Sequence, residues 1–256
     1  MTVAATLEEA LALLRQQQSE IERLQAAHET LMRVISHDLR APLRHVVSFA
    51  PLLRESVHDL AQEAPQAQEV AQDAYEFAQT MESAARKMSD MLEGLSKVSR
   101  AARAPLQLES VDVSHLLAHM VQPLQQRHPA VQWALPAQPA LLRADAELLR
   151  QALQVLLDNA VKFSARQVQP TVSVAVQPLP GSAWRLTVQD NGVGFDDTRA
   201  GALGELFQRM HRDSEFEGVG AGVALLQTVA QRHGAQWRLQ ARPQSGCTVW
   251  LDWPAA

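Results

Sequence analysis

The five residues Ala101-Ala102-Arg103-Ala104-Pro105 divide the 256-residue chain into two stretches built on different rules. Upstream stand one Gly (Gly94) and three Pro (Pro42, Pro51, Pro65), whereas downstream lie ten of the eleven Gly and ten of the thirteen Pro. Both residues interrupt regular helices, so the upstream part reads as long helix and the downstream part as short elements joined by turns. Pro105 lacks an N–H and stops the helix that approaches it. Formal charge follows the same cut. Residues 1–104 have 11 basic and 15 acidic side chains, net −4, and residues 105–256 have 12 and 13, net −1.

Upstream of the boundary, Leu7, Leu14, Ile21, His28 and Ile35 recur every seven residues, with Leu24 and Leu31 in the second seam position. That spacing predicts a coiled-coil helix over residues 1–29. The seam resumes as Leu39, Leu43, Val46, Ala50, Leu53, Val57 and Leu60, offset by a four-residue stutter after Ile35. A turn is expected over Ala61 to Pro65. A second helix then repeats in a 4-3 pattern: Val70, Ala74, Phe77, Met81, Ala84, Met88, Met91, Leu95, Val98. The methionines of that stripe read as core. Two such helices form a hairpin whose apolar stripe needs cover, and pairing two hairpins into a four-helix bundle supplies it. Residues 30–103 are therefore expected to make a homodimer.

Downstream, residues 106–256 alternate in type. Helices are expected over Val113 to Gln126, over Asp145 to Phe163 with Asp145 as cap, and over Gly222 to Arg232. Strands are expected over Val131 to Leu135, Ala140 to Leu142, Thr171 to Val176, Trp184 to Gln189, Gln236 to Gln240 and Thr248 to Trp253. This predicts an α/β sandwich with an antiparallel-rich sheet. The strict βαβ order of a Rossmann fold is absent.

Composition excludes several classes of protein. With 23 Lys+Arg against 28 Asp+Glu the net charge is −5, so no global basic field argues for nucleic acid, and the five Trp do not interleave with a basic stripe. At 46% hydrophobic and 20% charged residues the chain is not disordered throughout. Its single cysteine, Cys247, excludes an internal disulfide framework. No apolar run approaches the roughly 20 residues that span a bilayer, and the N-terminus lacks the basic region of a signal peptide. A cytoplasmic location is the expectation.

Four stretches are chemically suggestive. In Ser36-His37-Asp38-Leu39-Arg40-Ala41-Pro42-Leu43, His37 lies off the apolar seam. The Asp38 carboxylate beside it can accept the Nδ1 proton, leaving Nε2 as a nucleophile; a plain surface histidine fits the fragment too. In Asp158-Asn159-Ala160-Val161-Lys162-Phe163, Asn159 and Lys162 are three apart and share a helix face. An amide oxygen beside an ammonium suits a Mg²⁺–phosphate group, and a solvated helix end would look the same. Asp190-Asn191-Gly192-Val193-Gly194-Phe195 follows a strand and suits either a polar ligand edge or a turn. Glu217-Gly218-Val219-Gly220-Ala221-Gly222 opens a helix, where exposed N–H groups and the helix dipole favour an anion. Between the last two, the charged stretch from Gly201 to Phe216 reads as a lid. His115 and His119 are spaced i, i+4 and could bind metal, but no third ligand is apparent, so they read as solvated.

Together, in this order and spacing, the four stretches resemble the sensor histidine kinases of two-component systems, over roughly residues 30–253. Leu206-Phe207-Gln208-Arg209-Met210-His211 with Glu215-Phe216 is similar to the kinases attached to bacterial phytochromes. The resemblance implies a dimerisation and phosphotransfer domain (30–103) followed by a Bergerat-type ATP-binding sandwich (106–256). It implies His37 as phosphoacceptor with Asp38 as its base, and Asn159 as the Mg²⁺ ligand with Lys162 near the phosphates. It further implies Asp190 reading the adenine amine, Gly192 and Gly194 making room for the base, Phe207 in the lid, and Gly218, Gly220 and Gly222 on the phosphate side. The implied cofactors are ATP and Mg²⁺, and the implied partner is the receiver domain of a response regulator. Only about 30 residues precede the phosphotransfer helix, so the input is expected from a partner such as a separate sensory protein.

Three positions depart from the family pattern. Val155 stands where an Asn is usual, four residues before Asn159. Ala41 replaces the Thr or Asn that usually follows the His by four residues, and Val219 replaces a Ser or Thr in the glycine loop. The alternative to a kinase is a phosphotransfer or scaffold protein with a weakened nucleotide site.

Overall fold

The computed structural model describes residues 17, 39–40, 42–60, 62, 68–196, 203–212 and 215–254. The N-terminal coil over 1–29, the expected turn after Leu60, and Ala41 lie outside the described residues, apart from Gln17 and Gln62. The chain divides into two compact units, Met1–Ser99 and Arg100–Ala256.

In the first unit, residues 42–60 form helix α1, and helix α2 runs over Gln68–Arg103. Their contact is narrow. Leu43 and Ala50 are buried on α1, and Ala71, Ala78 and Ala85, spaced by sevens, are buried on α2. Methyl side chains let two helices approach closely, so the seam within the hairpin is lined by alanine rather than by the large apolar residues. Glu82 interrupts that seam as a buried carboxylate held by Arg54 at 3.0 Å and Arg86 at 2.6 Å. The stripe read from sequence points elsewhere: Val70, Phe77, Met81 and Met88 are exposed. The expectation that Met81 and Met88 are core is thus corrected for the single chain, since the alanines occupy the inward positions.

The second unit begins with strand β1 (Leu108–Asp112), which the sequence reading missed, and which pairs antiparallel with β3 (Leu141–Asp145). Helix α3 (Val113–Arg127) lies between them in the chain. A five-stranded sheet, in the order β2-β4-β5-β7-β6, follows from β2 (Gln132–Ala134), β4 (Thr171–Pro178), β5 (Trp184–Asp190), β6 (Gln236–Ala241) and β7 (Cys247–Trp253). Only the β2–β4 pair is parallel. Helices α4 (Ala146–Ser164) and α5 (Gly222–Arg232) complete the layer that covers it.

Strand periodicity sorts the sheet's side chains into two sets. Val172, Val174, Leu186, Val188, Leu251 and Trp253 are buried, and the intervening positions are polar or more exposed. Facing them, α4 contributes Leu149, Leu153 and Leu157, all shielded completely from solvent, and α3 contributes Leu117 and Val121. Asp145 caps α4 by accepting from Leu148 N–H at 3.0 Å, as its position in the sequence predicts. His233 Nε2 accepts from Asp145 N–H at 3.0 Å, and its ring stacks on Trp253 at 4.6 Å, which ties the ends of α4, α5 and β7 together.

Candidate functional site

The ends of α4 and β5 and the loop that opens α5 converge on one region of the second unit. Asp190 closes β5, and at 8% exposure its carboxylate is one of few buried ones among the described residues. Its Oδ1 accepts from Gly192 N–H at 2.8 Å. Burial pushes its pKa up to about 6, against the opposing pull of the Gly192 and Cys247 backbone N–H groups. The carboxylate is therefore ionised at neutral pH but close to titrating. Cys247, beside it, is pushed up to about 12 by burial and by the Asp190 charge, so its thiol is no nucleophile.

Asn191 works as a brace. Its Oδ1 accepts from Thr171 N–H at 2.9 Å and its Nδ2 donates to Gln169 O at 2.8 Å, fixing the loop after α4 to the end of β5. The glycines at 192 and 194 stand where other backbone comes close. A Cβ on Gly192 would lie 2.5 Å from the Phe163 carbonyl oxygen, and one on Gly194 would run into the carbonyl of Arg242. Both are required by close backbone packing behind Asp190.

Asn159 and Lys162 project from the last turns of α4, half-buried and on one face. Lys162 Nζ donates to Glu217 O at 3.3 Å and lies 4.4 Å from the Phe163 ring centroid. Its pKa is lowered, first by burial and then by the Arg209 charge, with Asp158 acting in the opposite direction. Gly218 follows at once in the chain, and Lys162 Nζ is the nearest side-chain atom to where its Cβ would be, at 3.7 Å. Gly218 and Gly220 have φ of 126° and 75°, which L side chains rarely adopt. Helix α5 then opens at Gly222 with no side-chain cap, so its first N–H groups have no partner inside the helix. A lysine, a glycine loop and an uncapped helix start together have the chemistry that suits an anion.

Val155 meets α5 directly: a Cβ on Gly222 would stand 3.0 Å from Val155 Cγ1. At this position the side chain is helix-packing surface. The lid segment is held by contacts the sequence did not reveal. Phe207 N–H donates to Gly220 O at 3.0 Å, with Phe207 itself at a φ of 69°, rare for a bulky residue. Three cations donate to three successive carbonyls, Arg166 to Glu215 O, Arg209 to Phe216 O and Lys162 to Glu217 O. Phe216 and His211 pack with Phe163 at centroid distances of 5.0 and 5.2 Å, and Phe195 reaches His211 at 6.2 Å. No periodicity signals such a cluster, because its members come from the end of α4, the loop after it and the long connection between β5 and α5. His37 and Asp38 lie outside the described residues, as do 197–200 before the lid and 201–202 and 213–214 within it.

Residues 144–256 match the family described as histidine kinase-, DNA gyrase B- and HSP90-like ATPases. Over 236 residues the chain is 28% identical to the phytochrome-like protein Cph1 of Synechocystis, covering 91% of this chain and 30% of that one. It is 27% identical over 229 residues to the sensor protein BasS of Escherichia coli, covering 85% of this chain and 56% of BasS. The chain thus spans about a third to a half of the length of these curated relatives. Among solved structures, full-length ShkA in complex with AMPPNP superposes with a TM-score of 0.62 at 22% identity, over 89% of this chain and 46% of ShkA. The mycobacterial sensor histidine kinase MprB gives 0.52 at 22% identity, over 58% of this chain and 97% of the MprB structure. These superpositions establish the fold.

Proposed function

We propose that this chain is the core of a sensor histidine kinase and acts as one, transferring the γ-phosphoryl group of ATP to His37 and from there to an Asp of a response regulator's receiver domain. The observation that supports this most strongly is the buried, ionisable Asp190 at the end of β5, in the same family-matched domain as the corner of Lys162, Gly218 and α5 that suits an anion. Asp190 would accept the adenine amine in a charge-assisted hydrogen bond. Lys162 and the first N–H groups of α5 would hold the phosphates, with Gly220 and Gly222 keeping the backbone close and Phe207 anchoring the lid to Gly220.

Asn159 fits a Mg²⁺ ligand in character. It offers one amide oxygen on the face shared with Lys162, and no cluster of three acidic, His or Cys side chains lies near it among the described residues. An ion there would take most of its ligands from phosphate and water, as Mg²⁺ commonly does, and would offset the charge of the triphosphate. At the other end of the reaction, Asp38 would accept the Nδ1 proton of His37. Nε2 would then attack the γ-phosphorus, the bond to the β,γ-bridging oxygen would break, and ADP would leave.

We further assign residues 30–103 to a homodimerisation domain, since the exposed stripe of Val70, Phe77, Met81 and Met88 needs a partner surface. One specific observation favours a second reading, a phosphotransfer scaffold with a weak nucleotide site: Val155 packs its side chain on α5, at the position where the resemblance implies an Asn. Incubation with γ-labelled ATP separates the two. A kinase gives acid-labile, alkali-stable label that His37→Gln removes; a scaffold gives none, yet accepts the group from another phosphorylated protein.

A further inference from the structure

The only two histidines of the nine spaced by four residues, His115 and His119, stand on the exposed side of α3, outside the nucleotide site. Their Nε2 atoms face each other at 3.2 Å, with ring centroids 4.4 Å apart and planes inclined by 71°. Two imidazole nitrogens bound about 2.05 Å from one metal ion are separated by about 3.3 Å at a tetrahedral angle and about 2.9 Å at a square one. The observed separation falls between these values. We propose that His115 and His119 form a bidentate surface site for a divalent transition metal of the imidazole-preferring class, Cu²⁺, Ni²⁺ or Zn²⁺.

The scaffold is rigid enough to present such a bite. Asp112 caps α3 by accepting from Ser114 and His115 N–H, and Val113, Leu117, Met120, Val121 and Leu124 anchor the opposite face in the core. A site on a helix so fixed keeps its ligand spacing. At 3.2 Å one Nε2–H donates to the other Nε2. Metal binding needs both Nε2 lone pairs, so the donor ring passes to its Nδ1–H tautomer. No third His, Cys, Asp or Glu joins them among the described residues, so water or an outside ligand fills the remaining positions. Affinity should follow the general order for such ligands, with Cu²⁺ above Ni²⁺ and Zn²⁺, and Mg²⁺ and Ca²⁺ excluded.

The test is calorimetric titration of the full chain with CuCl₂ and ZnCl₂, with and without excess Mg²⁺, alongside electron paramagnetic resonance of the Cu²⁺ form. The expected result is one equivalent of metal, indifferent to Mg²⁺, whose Cu²⁺ spectrum shows coupling to two nitrogens. His119→Gln and His115→Gln should each weaken that equivalent by about tenfold or more, because either change breaks the chelate. The double variant should lose it. Both side chains are exposed, so folding of the variants is checked by circular dichroism. Equal binding by the wild type and the double variant would overturn the proposal. So would single variants that each lose only a small share, as two independent monodentate sites would behave.

Discussion

On α2, Val70, Phe77 and Met81 stand 72%, 69% and 55% exposed, whereas on α4 Leu149, Leu153 and Leu157 are shut off from water entirely. Both helices are long and amphipathic in sequence, and the difference lies in what each is given to pack against. Helix α4 meets a five-stranded sheet and two further helices, wide enough to cover a full apolar face. Over residues 68–99, helix α2 spends its buried alanines on the contact with α1. An amphipathic pattern therefore marks an apolar face but does not say what covers it. In the sandwich the burial is internal; in the hairpin the stripe of Val70, Phe77, Met81 and Met88 is exposed in the single chain.

The largest test of this contrast is Leu153→Ala, which should lower the stability of the sandwich by about 2–5 kcal/mol in denaturant unfolding, the usual cost of a cavity at such a site. Phe77→Ala should leave the unfolding of the sandwich alone. Instead it should weaken self-association by about 1.5–3 kcal/mol, read as a concentration-dependent mass in light scattering. A wild type that is monomeric at micromolar concentration would break the comparison.

Asp190→Asn sharpens it from within the sandwich, and its two effects have opposite signs. Loss of the ionised acceptor should weaken ATP binding by about 1–3 kcal/mol, roughly 5- to 150-fold by calorimetry. The native carboxylate has a folded-state pKa raised from 3.8 to about 6, so the folded protein holds its proton more tightly than the unfolded chain. Ionisation consequently costs stability across that window as pH rises, and the full cost is present above pH 6. The Asn variant should therefore melt at or above the wild-type temperature at pH 7.5, with the advantage shrinking as pH falls toward 4. In the wild type, ATP affinity should decline as pH drops through 6, and in the variant it should not. A variant that binds ATP as well as the wild type would remove Asp190 from the site.

The smallest expected effect concerns Val155. Val155→Asn should raise the rate of His37 labelling by something like tenfold, about 1.4 kcal/mol of barrier, with little change in ATP affinity. Because Val155 packs against Gly222, the substitution should also cost a little stability. An unchanged rate, with wild type already labelling within seconds, would leave Val155 as a packing residue alone.

The sequence by itself determined the helices α3, α4 and α5, five of the seven strands to within a residue or two, and the Asp145 cap. Those features follow from local rules: periodicity of apolar residues, punctuation by glycine and proline, and a capping side chain next to the backbone it caps. It also named Asp190, Asn159, Lys162 and the glycines as a set, through their order along the chain. Tertiary structure alone decided the rest. Strand β1 has too little alternation to be read without its partner β3, and the alanine seam between α1 and α2 is invisible beside a louder stripe of Phe and Met. The reasons for Gly192 and Gly194 are carbonyls of Phe163 and Arg242, far away in sequence. Arg166, Arg209, His211 and Phe216 became part of the site only because folding brought a helix end and a lid together. The facing imidazoles of His115 and His119 needed rotamers, which spacing permits but does not choose.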